Sequence, residues 1–109
     1  MTAVRAGALR HRIELQRRKE GTDDFGEPTD EWETYATVWA AVRPLQGRDR
    51  WAAQQVNAEV THEVEIRHRS DVKAEHRIKH GDRVLRIEAP FDPDERGARL
   101  MMPCSEEVE

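Results

Sequence analysis

The chain has 109 residues, 22 of them acidic and 18 basic, for a formal charge of −4; 37% are hydrophobic and 37% charged. That length bounds it to one compact domain spanning residues 1–109, with a small core that must order much polar chain. No apolar run approaches the roughly 20 residues of a membrane span, the first twenty residues hold no apolar signal stretch, and Cys104 alone closes no intrachain disulfide, so a soluble chain without a membrane partner, assembled in a reducing cytoplasm, is expected.

Charge is unevenly laid out. Residues 1–19 carry Arg5, Arg10, Arg12, Arg17, Arg18 and Lys19 against Glu14. Residues 20–33 carry Glu20, Asp23, Asp24, Glu27, Asp30, Glu31 and Glu33 with no base. Such blocks are ordinarily solvated; they are also complementary, and complementary surfaces set register between subunits.

Period-two alternation dominates, as in half-buried antiparallel strands. In 9–17, Leu9, His11, Ile13 and Leu15 oppose Arg10, Arg12, Glu14 and Gln16. Residues 18–30, with Gly21, Gly26 and Pro28 among acids, read as a long loop. In 32–43, Trp32, Ala36, Val38, Ala40 and Val42 share one parity and Tyr35, Trp39 and Ala41 the other. Both faces of that strand are apolar or aromatic, which suits either a central strand or a strand with one face toward a partner. Residues 46–58 are helix formers with no breaker after Gly47. There Trp51, Ala52, Gln55 and Val56 share a face, and a helix so short needs something to pack on.

In 60–69, Val60, His62, Val64, Ile66 and His68 oppose Thr61, Glu63, Glu65, Arg67 and Arg69. Ser70 to Glu75 suits a single turn. A hairpin follows at 77–89 around Gly81-Asp82, where glycine supplies the positive φ of a two-residue turn. Residues 92–97 read as a turn, and 98–103 as a last strand before the acidic tail of Glu106, Glu107 and Glu109. Five to six short strands with one short helix and long loops predict a mainly β fold, a small antiparallel barrel or sandwich.

The sequence offers little chemistry. Ser70-Asp71-Val72-Lys73 matches an S-x-x-K pattern whose other motifs are absent. His76 and His80 flank a strand, which would hold them about 13 Å apart. His62 and His68 are six residues apart, and His62-Glu63 lacks the H-E-x-x-H spacing. The glycines are too scattered to cradle a phosphate. No cofactor, no metal and no catalytic residue is expected, and the chain is not read as an enzyme. Basic residues near the N-terminus can meet DNA, but the negative net charge and the absence of interleaved aromatics argue against tight binding.

The order of segments resembles the phage head–tail joining proteins, the adaptors, stoppers and head-closure subunits that complete the capsid. The opening strand Leu9-Arg10-His11-Arg12-Ile13-Glu14-Leu15-Gln16-Arg17 is similar to theirs. So are Asp24-Phe25-Gly26, Glu31-Trp32-Glu33 and the central run Ala36-Thr37-Val38-Trp39-Ala40-Ala41-Val42-Arg43-Pro44-Leu45. Arg50-Trp51-Ala52-Ala53-Gln54-Gln55, Thr61-His62-Glu63-Val64-Glu65-Ile66-Arg67, Arg77-Ile78 and Gly81-Asp82-Arg83 follow in order. The likeness covers roughly residues 7–103 and departs at Arg48-Asp49-Arg50, where the family pattern has Glu.

The resemblance implies a small β-barrel subunit of a bacteriophage or gene transfer agent virion, placed at the head–tail junction. It implies a six- or twelve-fold homo-oligomeric ring between a portal or adaptor ring and tail terminator or tail tube proteins. DNA would cross the ring's channel in transient, non-specific contact. The segment from Arg43 to Asn57 would line or gate that channel, through Arg43, Pro44, Gln46, Gly47, Arg48, Asp49, Arg50, Gln54 and Gln55. Asp23, Asp24, Phe25, Glu27, Trp32, Trp39 and Trp51 are candidate contacts between subunits or rings. The alternative is an OB-like or SH3-like module that binds nucleic acid or peptide.

Overall fold

The structure is a computed structural model, and it describes residues 9–19, 25–26, 31–56 and 59–107. Among these residues six strands and one helix follow each other: β1 (His11–Arg18), β2 (Trp32–Pro44), α1 (Gly47–Val56), β3 (His62–Arg67), β4 (Arg77–His80), β5 (Arg83–Ile87) and β6 (Arg99–Glu107). All pairings are antiparallel, and the strands close in the order β1-β2-β3-β6-β5-β4, with β4 returning to β1. The expected small antiparallel β-barrel is the fold observed.

Register follows from which parity is apolar. Ile13 lies opposite Val38 and Leu15 opposite Ile78. Val64 lies opposite both Val42 and Met102, Ile66 opposite Leu100, and Ile78 opposite Leu85. These side chains, with Ile87 and Cys104, fill the barrel, and Val72 from the 68–76 connection is buried against them. Each buried aliphatic side chain contributes roughly 1.5–3 kcal/mol. Gly81 has φ +63 in the two-residue turn between β4 and β5, which glycine adopts without steric cost.

Three expectations are corrected. Between Leu15 and Gln16 the register slips: Leu15 faces Ala36 but Gln16 faces Thr34, leaving Tyr35 as an extra residue of β2. Such a bulge inverts the parity beyond it. Trp32 therefore leaves the face of Ala36, Val38 and Ala40 and pairs with Arg18 on the outer wall, while Tyr35 packs against the core. The last strand is longer than its apolar run. It extends through the first acids of the tail, because Glu106 pairs with Leu85 and its carboxylate takes two hydrogen bonds from Arg83, at 2.8 and 3.1 Å. The helix ends at Val56, with residues 57–58 outside the described range, and its expected packing face is not covered, as described below.

Candidate functional site

The barrel's two ends carry different equipment. β1 and β2 continue past their paired residues toward the acidic connection, where Lys19 N–H donates to the Glu31 carbonyl at 2.8 Å and Lys19 Nζ lies 3.6 Å from a Glu31 carboxylate oxygen. β2 then runs 13 residues to the opposite end and delivers the chain to α1. At about 3.3 Å per residue that strand separates the acidic connection from α1 by roughly 40 Å.

At the α1 end the base of the segment is clamped. Leu45 N–H donates to the Thr61 carbonyl at 2.9 Å, Arg43 pairs with Glu63 across β2 and β3, and Gln54 Nε2 donates to the Val60 carbonyl at 3.2 Å. Gly47 opens the helix at φ +55, a left-handed conformation that costs a side-chain-bearing residue roughly 1–2 kcal/mol. Beyond the clamp the segment faces solvent. Pro44, Gln46, Arg48, Asp49, Arg50 and Gln55 are exposed, and Trp51 is 65% exposed. The face expected to pack, Trp51, Ala52 and Gln55, is open, whereas Ala53 and Gln54 are the half-covered positions. The barrel interior is already filled from the strands, so it leaves no apolar surface for α1 to occupy.

Below α1 the mouth of the barrel is closed by polar groups. Arg83 Nη2 lies 3.0 Å from His62 Nε2, and Thr61 Oγ1 lies 2.9 Å from His62 Nδ1. Arginine only donates, so His62 accepts at Nε2 and carries its proton at Nδ1, the neutral form. Burial and the neighbouring Arg83 hold the His62 pKa below its ordinary value, against the opposing pull of Glu106. Arg50 of α1 acts in the same direction.

The other candidate contacts scatter over the outer wall. Trp39, 52% exposed, lies under the Arg12 guanidinium at 5.1 Å. Trp32 lies between Arg18 at 5.2 Å and Arg77 at 4.4 Å. Phe25 is 91% exposed, while Asp23, Asp24 and Glu27 lie outside the described residues. The structure thus gathers the channel candidates at one end and separates them from Trp32. An open cleft of about 880 Å³, lined by Arg17, Arg18, Trp32, Lys73, Arg77 and Arg86 among others, was not legible as a unit. Its residues are spread over five strands and a connection, and the pairing of those strands had to be known.

Cys104 and Ser105 are engaged within the fold. Cys104 is fully buried, its thiol pKa is pushed up by burial and its Sγ donates to the Met102 carbonyl at 3.3 Å. Ser105 Oγ donates to a Glu88 carboxylate oxygen at 2.8 Å. His76 Nδ1 accepts from the Tyr35 hydroxyl at 2.8 Å, and the His80 ring meets His11 edge-on at 4.9 Å. Among the described residues no three His, Cys, Asp or Glu side chains gather as metal ligands would.

The model of the phage head completion protein family matches residues 4–107. The chain belongs to that family. Head completion protein gp7 of Enterobacteria phage HK97 is 27% identical over 103 residues, covering 90% of this chain and 92% of that protein. Protein SF1141 from Shigella flexneri 2a, known from a solution structure, shares 34% identity at a TM-score of 0.76, covering 97% of this chain and 99% of that one. A chain from the virion of a native gene transfer agent particle shares the fold at a TM-score of 0.63, with 21% identity and coverage of 93% and 97%. A head completion protein is a structural component of the virion, which brings it against other phage structural proteins. Among the described residues no helix is long and apolar enough to cross a membrane.

Proposed function

We propose that this head completion protein acts as a single connector domain whose copies form a ring between the portal or an adaptor and the tail. In that ring α1 faces the channel and retains packaged DNA. The observation that carries the reading is the segment from Arg43 to Gln55, clamped at its base and with Arg48, Asp49, Arg50, Trp51 and Gln55 open to solvent. A helix of ten residues gains little stability by itself. An exposed tryptophan and two exposed arginines on such a helix suit contact with something outside the subunit.

Closure of the barrel supports the same reading. Every strand already has two neighbours, so copies cannot join by strand addition at an open edge. Subunits must then meet through side chains of the outer wall and through connections, which are the places where the exposed aromatic residues lie. The contact with DNA is weak by design of charge: Arg48 and Arg50 flank Asp49, and the chain as a whole carries −4. Strong phosphate binding would hinder passage of the duplex.

Deleting residues 46–53 tests the gate. The expected result is particles that package DNA and then lose it, measured as nuclease-sensitive DNA in purified heads. Normal retention by that variant refutes the gating role of α1. A normally positioned ring in wild-type particles imaged by electron microscopy supports the connector role independently.

A further inference from the structure

We infer that the cleft around Trp32 and Arg77 is a receptor for carboxylates, and that its occupant is the acidic 20–31 stretch of a neighbouring copy; the inference rests on the ring reading above. Arg77 is held in place before any partner arrives. Its Nε donates to Gln16 Oε1 at 2.7 Å, Gln16 Nε2 donates to Thr34 Oγ1 at 3.0 Å, and Thr34 Oγ1 donates to a Glu14 oxygen at 3.1 Å. Its guanidinium lies 4.4 Å from the Trp32 ring centroid. A guanidinium fixed through Nε and an aromatic face keeps its terminal fork for a planar anion at little further entropic cost. Arg86 lies directly opposite Arg77 on β5, and Lys73 comes from the connection before β4.

The cleft also holds Asp71, Glu75 and Glu107. Asp71 is engaged by Arg69, through two hydrogen bonds of 3.0 and 2.8 Å, and Arg17 by Glu33 at 2.9 Å. The mixture suits a polypeptide carrying spaced carboxylates better than a continuous phosphate track. This chain supplies such a polypeptide: Glu20, Asp23, Asp24, Glu27, Asp30 and Glu31 occur without one intervening base. The stretch leaves and re-enters the barrel at Lys19 and Glu31, whose hydrogen bond prolongs the β1–β2 ladder. The cleft opens at that same end of β2. Copies related by rotation about a ring axis bring like ends to the same level, so one copy's acidic stretch meets the next copy's cleft. Each subunit then offers two different complementary surfaces, as a closed heterologous ring requires.

A charge exchange decides it. Arg77→Glu with Arg86→Glu makes the cleft acidic, and Asp23→Lys with Asp24→Lys makes the stretch basic. Either pair alone should lower the yield of tailed particles at least ~10-fold through like-charge contact. Co-production of the two variants in one cell should restore the yield, because alternating copies recover complementary contacts. Restoration only when all four changes share one chain would overturn the inference, since the stretch would then occupy its own cleft. An unchanged yield for either pair would overturn it as well. Because Arg77 also supports Gln16, Lys73→Glu with Arg86→Glu, both exposed, serves as the second cleft variant, with thermal melting confirming the fold. A full ring containing either variant overturns the cleft and leaves the connector role standing, whereas wild-type particles without a ring overturn the connector role itself.

Discussion

His62, His76 and His80 share one electrostatic circumstance reached through different neighbours. Burial is the largest cause of a lowered pKa for each, followed by Arg83 for His62, Arg17 for His76 and His11 for His80. All three therefore bind protons less readily in the folded chain than at the ordinary value of 6.5. As pH falls below that value the unfolded chain takes up protons that the folded chain refuses, and stability declines. Asp71 and Glu106, whose pKa values are lowered chiefly by their bonds to Arg69 and Arg83, add a further loss at lower pH. Thermal melts should therefore show Tm falling steadily from pH 7 to pH 5, and a flat Tm over that range contradicts the assignment. In Arg83→Met the His62 resonance should titrate at higher pH than in the wild type, because an acceptor at Nε2 is released from its donor. An unmoved titration would separate the two residues.

The contrast between elements is sharpest for α1 and the strands. Leu85 is fully enclosed, and Leu85→Ala should cost roughly 2–5 kcal/mol of unfolding free energy, in the range for enclosed aliphatic side chains. Trp51→Ala removes a larger side chain from a solvated helix and should change global stability by no more than about 0.5 kcal/mol. Denaturant titration of both variants tests this, and a large loss in Trp51→Ala would mean that α1 packs on the subunit after all. The strands were legible because their apolar positions alternate without interruption; residues 60–66 announce which side chains face inward. β2 was misread at one end for a local reason. A bulge at Tyr35 depends on how β1 pairs with β2, and no residue in 32–43 marks it by type. The helix was legible from its propensities, but its packing was not, since exposure depends on whether the core has room. The channel candidates kept their sequence proximity and stayed together at one end of the barrel. The Trp32 cleft draws on β1, β2, β4, β5, β6 and a connection, so it existed only after the barrel closed.

Closure of the barrel ties the behaviour of the whole molecule to one event. An open sheet can release an edge strand while the rest persists, but here each strand is held on both sides. Cys104 makes that difference measurable. It sits in β6 opposite both His62 and Ile87, fully enclosed, with its thiol stabilised in the neutral form by burial and by the charge of Glu88. Only the thiolate reacts with a disulfide reagent, so modification requires the side chain to reach water. If β6 leaves only when the barrel opens as a whole, the labelling rate should track global stability. Destabilising the core by Leu85→Ala, remote from Cys104 in sequence, should then accelerate labelling by the factor corresponding to its loss of unfolding free energy, about tenfold for each 1.4 kcal/mol when opening is pre-equilibrated. Gly47→Ala strains only the entry to α1 and should leave the labelling rate unchanged while speeding amide exchange within residues 47–56. Equal acceleration by both substitutions would show that α1 and the barrel open together, and rapid labelling of the wild type would show that β6 detaches alone.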